Sequence, residues 1–321
     1  MRVAAIDVGT NTVLLLVAEQ GNEEGAQPVA IAERATITRL GEGVDRARRF
    51  APAALERTQA CLRDYADIVS RCGVERVAVV GTSAMRDAAG SDVLAAAISR
   101  EFGVPPRILA GLDEARLTFE GALSGLPDEG NAEEAVFDIG GGSTEVVIGR
   151  RGGGVNLSFS ASYDVGSVRL TERWVTSDPP ASRDLAHIQE QVLAAFSQVP
   201  AVNPGTPPIG VAGTLTTLAA VARSVVPYDG ARMHGLVLPV GELRAVVARL
   251  AAADLQQRRN IPGMHPGRAD VIVAGGCIAL SLLELWHAPS VRISDRGVRW
   301  GLVLELFKDL KGRDCAPSRS S

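Results

Sequence analysis

Lysine is almost missing from this chain: of 33 basic residues in 321, only Lys308 and Lys311 are lysines. A set of cations made of arginine suits two-pronged contacts to phosphate, although a biased genome composition produces the same skew. The chain also lacks a basic excess, with a net charge of −4 and a pI near 5.7. That argues against a general binder of nucleic acid or of an anionic membrane, which needs surplus positive charge. Any polyanion must be met by a local group of cations. Cysteine is scarce as well. Cys61, Cys72, Cys277 and Cys315 lack metal-ligand spacing, which argues against a zinc site or a disulfide framework. The histidines His187, His234, His265 and His287 show no pairing that suggests catalysis. No long apolar run exists: the longest, residues 271–283, is short and is interrupted by Gly275, Gly276 and Ser281, too little to span a bilayer. Met1-Arg2 leads directly into a strand-like run without the apolar region of a signal peptide, so the expectation is a soluble, cytoplasmic protein.

What is present is a large apolar complement, 46% of the residues, enough for a substantial core and two domains. Within it one pattern occurs twice. Ala5-Ile6-Asp7-Val8-Gly9-Thr10-Asn11-Thr12 and Val136-Phe137-Asp138-Ile139-Gly140-Gly141-Gly142-Ser143 are each an apolar strand ending in Asp, then a Gly-containing turn with a hydroxyl residue, then a second apolar strand. A turn with little side-chain bulk lets backbone N–H groups converge on an anion, and an Asp at the strand end can hold Mg²⁺ or its water nearby. One Gly-rich hairpin serves turn geometry as readily. Two copies in register at Asp, Gly and hydroxyl predict a duplicated fold with a phosphate site between its halves.

Periodicity predicts strands at 3–6, 13–18 and 29–33, a helix over 53–72 opened by Pro52, and a buried strand at 76–80. Then come a helix at 92–102, a strand at 107–109 and a helix at 113–123. This alternation is that of an α/β domain. The Pro, Gly and acid-rich stretch 127–134 is the best boundary. The order restarts with strands at 135–137, 144–148 and 155–160 and helices at 167–174 and 182–198. A Pro/Gly connector at 200–208 precedes a strand at 208–211, a helix through 225, helices at 240–251 and 269–285, a strand at 291–294 and a last helix at 298–309, with a frayed tail after Lys311. Read as helical, 292–300 brings together Arg292, Arg296, Arg299 and Trp300, a cluster able to guide a polyanion or simply to form surface ion pairs.

Five segments carry the chemistry: Asp7 to Thr12; Thr82-Ser83-Ala84-Met85-Arg86-Asp87-Ala88; Asp113-Glu114-Ala115-Arg116-Leu117; Asp138 to Glu145; and Ile293-Ser294-Asp295-Arg296-Gly297-Val298-Arg299-Trp300-Gly301. In this order they closely resemble the exopolyphosphatase/guanosine pentaphosphate phosphohydrolase (Ppx/GppA) family in its short two-domain form, over residues 2–307. The resemblance implies an α/β fold of the actin/hexokinase/Hsp70 type, two duplicated ribonuclease-H-like domains with a cleft between them. It implies a first domain of residues 1–123 joined by a returning segment 300–321, and a second of 124–299.

The resemblance also implies roles. Glu114 takes the place of the general base that orients the attacking water; read alone, Asp113 and Glu114 would as readily serve a helix N-terminus. Asp7, Asp138 and Glu145 are expected at Mg²⁺. Thr10, Asn11 and Thr12 face Gly140, Gly141, Gly142 and Ser143 as phosphate binders, and Arg86 is a candidate clamp on an internal phosphate. Gly213 and Thr214 match a loop that binds nucleosides in the wider superfamily and here would line the cleft. The leading activity is Mg²⁺-dependent removal of the terminal phosphate of inorganic polyphosphate. Hydrolysis of guanosine pentaphosphate to the tetraphosphate is the alternative, which the motifs do not separate from it. A kinase of the same superfamily would use a catalytic Asp and a fuller adenosine pocket, and a non-catalytic polyphosphate or alarmone sensor would not need every acid retained. A homodimer, common in the family, is left open by the residues. The short form implies faster turnover on short polyphosphates than on long ones.

Overall fold

The computed structural model describes residues 1–21, 27–128, 130, 132–151, 156–203 and 205–314. Val155, which opens an expected strand, and Cys315, with the rest of 315–321, lie outside these residues. The first half runs β1 (Arg2–Val8), β2 (Thr12–Glu19), β3 (Val29–Ile37), α1 (Val44–Ala47), α2 (Pro52–Arg71), β4 (Arg76–Gly81), α3 (Ser83–Asp87), α4 (Ser91–Phe102), β5 (Arg107–Ile108) and α5 (Gly111–Leu123). The second runs β6 (Glu134–Ile139), β7 (Thr144–Arg150), β8 (Asn156–Tyr163), α6 (Ser167–Trp174), α7 (Ser182–Ala195), β9 (Ile209–Val211), α8 (Ala212–Arg223), α9 (Gly230–Met233), β10 (Val237–Pro239), α10 (Val240–Ala252), α11 (Leu255–Arg259), α12 (Ile272–Leu285), β11 (Ser290–Ile293) and α13 (Val298–Asp314).

Each half builds one mixed sheet, and the two sheets repeat one order. The first is β3-β2-β1-β4-β5 and the second is β10-β11-β9-β6-β7-β8. Read from its β8 edge, the second sheet has the same arrangement with β10 added. In each, the opening strand pairs antiparallel with its hairpin partner and parallel with the strand on its other side. β1 is central and buried almost throughout, which is why it reads as a continuous apolar run. This is the duplicated ribonuclease-H-like architecture. The helices expected at 113–123 and 298–309 are present but longer, as α5 and α13, while α1, α3, α9, α11 and β10 are short elements without a sequence signal.

The stretch 292–300 is not a helix. Arg292 lies in β11, Arg296 follows in a loop, and α13 begins only at Val298, so no single helix carries the expected arginines, although Arg296, Arg299 and Trp300 stay near one another. Arg296 places its guanidinium 3.8 Å from the Trp300 ring centre and donates to the Ser124 carbonyl at 3.1 Å.

The last helix of each half crosses to the other sheet. Ala115, Phe119 and Ala122 of α5, spaced on one helical face, are buried with Val136, Val147, Ile209 and Val211 of the second sheet. Val298, Trp300, Leu302, Val303 and Leu306 of α13 are buried with Val3, Ala5, Leu16 and Val80 of the first. The two helices meet at glycines. A Cβ on Gly121 would stand 2.0 Å from the Gly297 carbonyl oxygen, and one on Gly301 would stand 2.0 Å from that of Leu117. Only glycine permits so close an approach. Glu114 therefore rides on a helix locked between both sheets.

Candidate active site

The two Gly turns close identical hairpins. Gly9 N–H donates to the Thr12 carbonyl at 3.1 Å and Gly140 N–H to that of Ser143 at 3.0 Å. They face each other at the floor of a cavity of about 970 Å³. A Cβ on Gly141 would lie 3.0 Å from Thr10 Cβ, and one on Gly142 would lie 2.6 Å from Ser83 Oγ. The second turn is glycine because the side chains of the first half occupy that space. Thr10 Oγ1 and Ser83 Oγ share a hydrogen bond of 2.8 Å.

The carbonyls of both turns are taken up behind the cavity. Gly140 O accepts from Ser167 N at 2.9 Å, and Gly141 O from Val168 N and Arg169 N at 2.9 and 3.0 Å. Gly142 O accepts from Arg169 Nε at 2.7 Å. Thr10 O accepts from Gly41 N at 2.8 Å, and Asn11 O from Thr38 N and Arg39 N at 3.1 and 3.0 Å. Across a trans peptide the next N–H points opposite the carbonyl, so the N–H groups of Gly141, Gly142 and Ser143 are turned away from α6. Among the described residues they have no internal acceptor.

Around these turns stand four acids. Asp138 and Glu145 are direct cross-strand partners in the β6–β7 hairpin, and Asp7 is the next-to-last residue of β1. Glu114 opens α5, and all four line the cavity. Burial pushes the Asp7 carboxyl up to about 7, partly offset by Arg299 and reinforced by Glu145. Burial, then the charges of Glu145 and Asp7, hold Asp138 well above the carboxylate range. Burial also raises Glu145, against a hydrogen bond from Ser162 whose hydroxyl donates to Oε1 at 2.7 Å. Glu114 is raised by burial and by the Glu145 charge, with Arg86 opposing. Desolvation and like charge both disfavour the ionised forms, so this cluster calls for a cation or protons.

Oxygen donors of this kind suit Mg²⁺, and Asp7 Oδ1 and Asn11 Nδ2 are buried without a hydrogen-bond partner among the described residues. No three acidic, histidine or cysteine side chains among those residues stand close enough to cage a metal alone. An ion here would have to keep several waters and take further oxygens from substrate phosphates, the usual habit of Mg²⁺.

Asp7, Thr10, Asn11, Thr12, Glu114, Asp138, Gly140, Gly141, Ser143, Glu145 and Gly213 all border the cavity. Three expected residues do not. Gly142 faces a small cleft behind the turn. Thr214 spends its hydroxyl on the Ile139 carbonyl at 3.1 Å; Gly213, Thr216 and Thr217 of α8 line the cavity instead. Arg86, expected to clamp a phosphate, donates through Nη1 to Glu114 Oε2 at 2.8 Å and to the Leu109 carbonyl at 2.7 Å. The physical reason is that a buried carboxylate needs a paired cation.

Of two cations of the cavity, Arg299 stands in the expected arginine cluster and Arg268 escapes sequence reasoning. Arg268 lies over Gly213, where a Cβ would stand 2.0 Å from its Cζ. It donates to Thr12 Oγ1 at 3.2 Å and has no carboxylate partner among the described residues. Its signal is a lone Arg just before the apolar run of α12. Arg299, buried at the start of α13, pairs with Glu33 at 2.7 Å. The cavity is also lined by Val226, Pro227, Tyr228 and Met264, and the Tyr228 hydroxyl donates to Asp295.

No helix among the described residues is long and apolar enough to cross a membrane. The description of the Ppx/GppA phosphatase family matches residues 16–310. Exopolyphosphatase 2 of Mycobacterium tuberculosis is 39% identical over 319 residues, which cover 95% of this chain and 98% of that one. A solved exopolyphosphatase-like protein superposes with a TM-score of 0.87 at 32% identity, covering 97% of this chain and 100% of that one. The Aquifex aeolicus member of the Ppx/GppA family does so with a TM-score of 0.79 at 33% identity, covering 96% and 98%. With its fold and nearly its whole length matched, the chain belongs to the Ppx/GppA phosphatase family and is a hydrolase.

Proposed function

We propose that this protein is a Mg²⁺-dependent exopolyphosphatase that hydrolyses the terminal phosphoanhydride of inorganic polyphosphate. The observation that carries the reading is the position of Glu114, a buried carboxylate on a helix between both sheets, sharing one cavity with two facing phosphate turns. The terminal phosphate sits between the turns, held by the N–H groups of the second and by Thr10, Asn11 and Thr12. Arg268, lacking an internal carboxylate, meets the phosphates behind it. Arg86 holds Glu114 Oε2, so Oε1 is the oxygen that accepts the proton of the attacking water. The raised proton affinity of Glu114 strengthens it as a base. Water oxygen bonds to the terminal phosphorus, the bond to the bridging oxygen breaks, and the electron pair leaves with the shortened chain. Asp7, Asp138 and Glu145 would hold Mg²⁺, which when bound offsets charge on the phosphate oxygens.

A second reading, hydrolysis of guanosine pentaphosphate, is favoured by one observation. The apolar and aromatic part of the cavity lining, Val226, Pro227, Met264 and the half-exposed Tyr228, is more than a bare phosphate chain needs and suits a planar base. Phosphate release from short polyphosphate, long polyphosphate and guanosine pentaphosphate, at matched ionic strength with and without Mg²⁺, decides between them. The reading predicts highest kcat/KM on short polyphosphate and loss of activity with chelator. A clear preference for guanosine pentaphosphate would install the second reading, and release from none would overturn both.

A further inference from the structure

The second Gly turn is gripped from behind by a residue that no motif singled out. Arg169, in the first turn of α6, is buried and uses three nitrogens on three acceptors. Nε donates to the Gly142 carbonyl at 2.7 Å. Nη1 donates to Asp45 Oδ1 at 2.6 Å and Nη2 to Asp87 Oδ2 at 2.8 Å. Gly142 belongs to the second half of the chain, whereas Asp45 and Asp87 belong to the first. One guanidinium thus ties a phosphate turn to the opposite domain.

Its neighbours reinforce the tie. Arg173 donates to Asp45 Oδ2 at 2.8 Å, and Glu172 accepts the Gly43 N–H at 3.0 Å. Residues 169, 172 and 173 share one face of α6, and that face docks on the start of α1. Asp87 matters for a different reason. It ends α3, the five-residue helix that also bears Arg86, the holder of Glu114, and Ser83, the partner of Thr10. A path of direct contacts therefore runs from the second turn through Arg169 and α3 to the base.

We infer that Arg169 is a positioning residue for hydrolysis: it aims the N–H groups of the second turn at the phosphate and sets that turn in register with Glu114 across the domain boundary. It touches no substrate. Its planar fork meets three acceptors at fixed angles, which a single ammonium does not reproduce. The inference rests on the exopolyphosphatase reading for its kinetic readout, but aiming the turn bears on phosphate binding by itself.

The test compares Arg169→Met, Arg169→Lys and Asp87→Asn with the wild-type chain. Its readouts are kcat and KM on tripolyphosphate, calorimetric affinity for inorganic phosphate, and melting temperature. A misaimed turn costs roughly tenfold to a hundredfold. We expect Arg169→Met to lower kcat/KM and weaken phosphate affinity by about that factor, and Arg169→Lys to recover part of both. Asp87→Asn keeps the Gly142 contact and loses the tie to α3. It should lower kcat by roughly tenfold while phosphate affinity stays within about threefold. That split is not expected of a residue that only stabilises the fold, which would lower melting temperature and leave the kinetics of folded molecules alone. Arg169→Met with kcat, KM and phosphate affinity all within about threefold of wild type would overturn the inference. So would Asp87→Asn with unchanged kcat. If Arg169→Met does not fold, the lysine and Asp87 variants decide. A wild-type chain inactive on tripolyphosphate counts against the substrate reading; Arg169 is then judged on phosphate affinity, where an unchanged value in the lysine variant and in a folded methionine variant overturns it.

Discussion

The β1–β2 and β6–β7 hairpins are one device built twice and equipped differently. Both run from a buried strand through an Asp into a Gly-opened turn with the same closing hydrogen bond. Across the ladder, however, Asp7 faces Leu14, while Asp138 faces Glu145. The first turn presents the side chains of Thr10 and Asn11; the second is stripped to Gly141 and Gly142 and presents backbone. The first turn's carbonyls are fastened by residues 38–41 of its own half, the second's by α6 and the cross-domain Arg169. The lesson is a division of labour. On the proposed reading, the first hairpin supplies one acid and the wall against which phosphate is held, and the second concentrates charge and N–H donors beside Glu114.

The sharpest way to break this comparison is to remove the base that serves both turns. Glu114→Gln keeps shape and loses proton acceptance, so kcat should fall by about 10² to 10⁴ with tripolyphosphate affinity retained. Activity within about threefold of wild type would reject the role.

The asymmetry in acids comes next. Asp138→Asn and Glu145→Gln should raise the Mg²⁺ concentration for half-maximal activity by roughly tenfold or more, and Asp7→Asn, without a paired acid, by less. A Mg²⁺ titration unchanged in both second-hairpin variants would deny these acids a cation role.

The glycines sharpen it further. Gly141→Ala puts a methyl against Thr10, and KM should rise by roughly threefold to tenfold, with Thr10→Gly in the same chain recovering part of the loss. Failure of the double variant to recover would mean that contact between the turns is not what glycine preserves.

The remaining effect is on stability. Folded Asp7 takes up a proton near pH 7, against 3.8 for an unperturbed aspartate. Between those values the native state binds more protons than the unfolded one, so stability falls as pH rises through that window and levels off above it. Asp7→Asn removes this slope. In chelator it should exceed wild type near pH 8 by at most about 4 kcal/mol relative to any difference at pH 4, by denaturant unfolding. Parallel pH profiles for the two proteins would contradict the burial argument.

Much of the cleft was legible because it is local. Two Asp-Gly turns in register predict two hairpins, and cross-strand pairing then brings Asp138 to Glu145 without further information. What was not legible depends on contacts distant in sequence. Arg86 reads as a free phosphate clamp until the fold sets a buried carboxylate beside it. Arg268 lies 256 positions from Thr12, its hydrogen-bond partner. Thr214 carries the right chemistry, but the fold brings the Ile139 carbonyl to its hydroxyl, and Thr216 and Thr217 border the cavity in its place. The crossing of α5 and α13 depends on Gly121 and Gly301, which pattern reasoning treats as weak points of a helix and which here let two backbones touch.

The account's central claim is that the two turns hold the terminal phosphate while Glu114 directs water onto it. Turnover of a short polyphosphate in ¹⁸O-labelled water tests this directly. The account predicts one labelled oxygen in each orthophosphate released and none in the shortened chain. Label appearing in the remaining chain, with the released orthophosphate unlabelled, would contradict it.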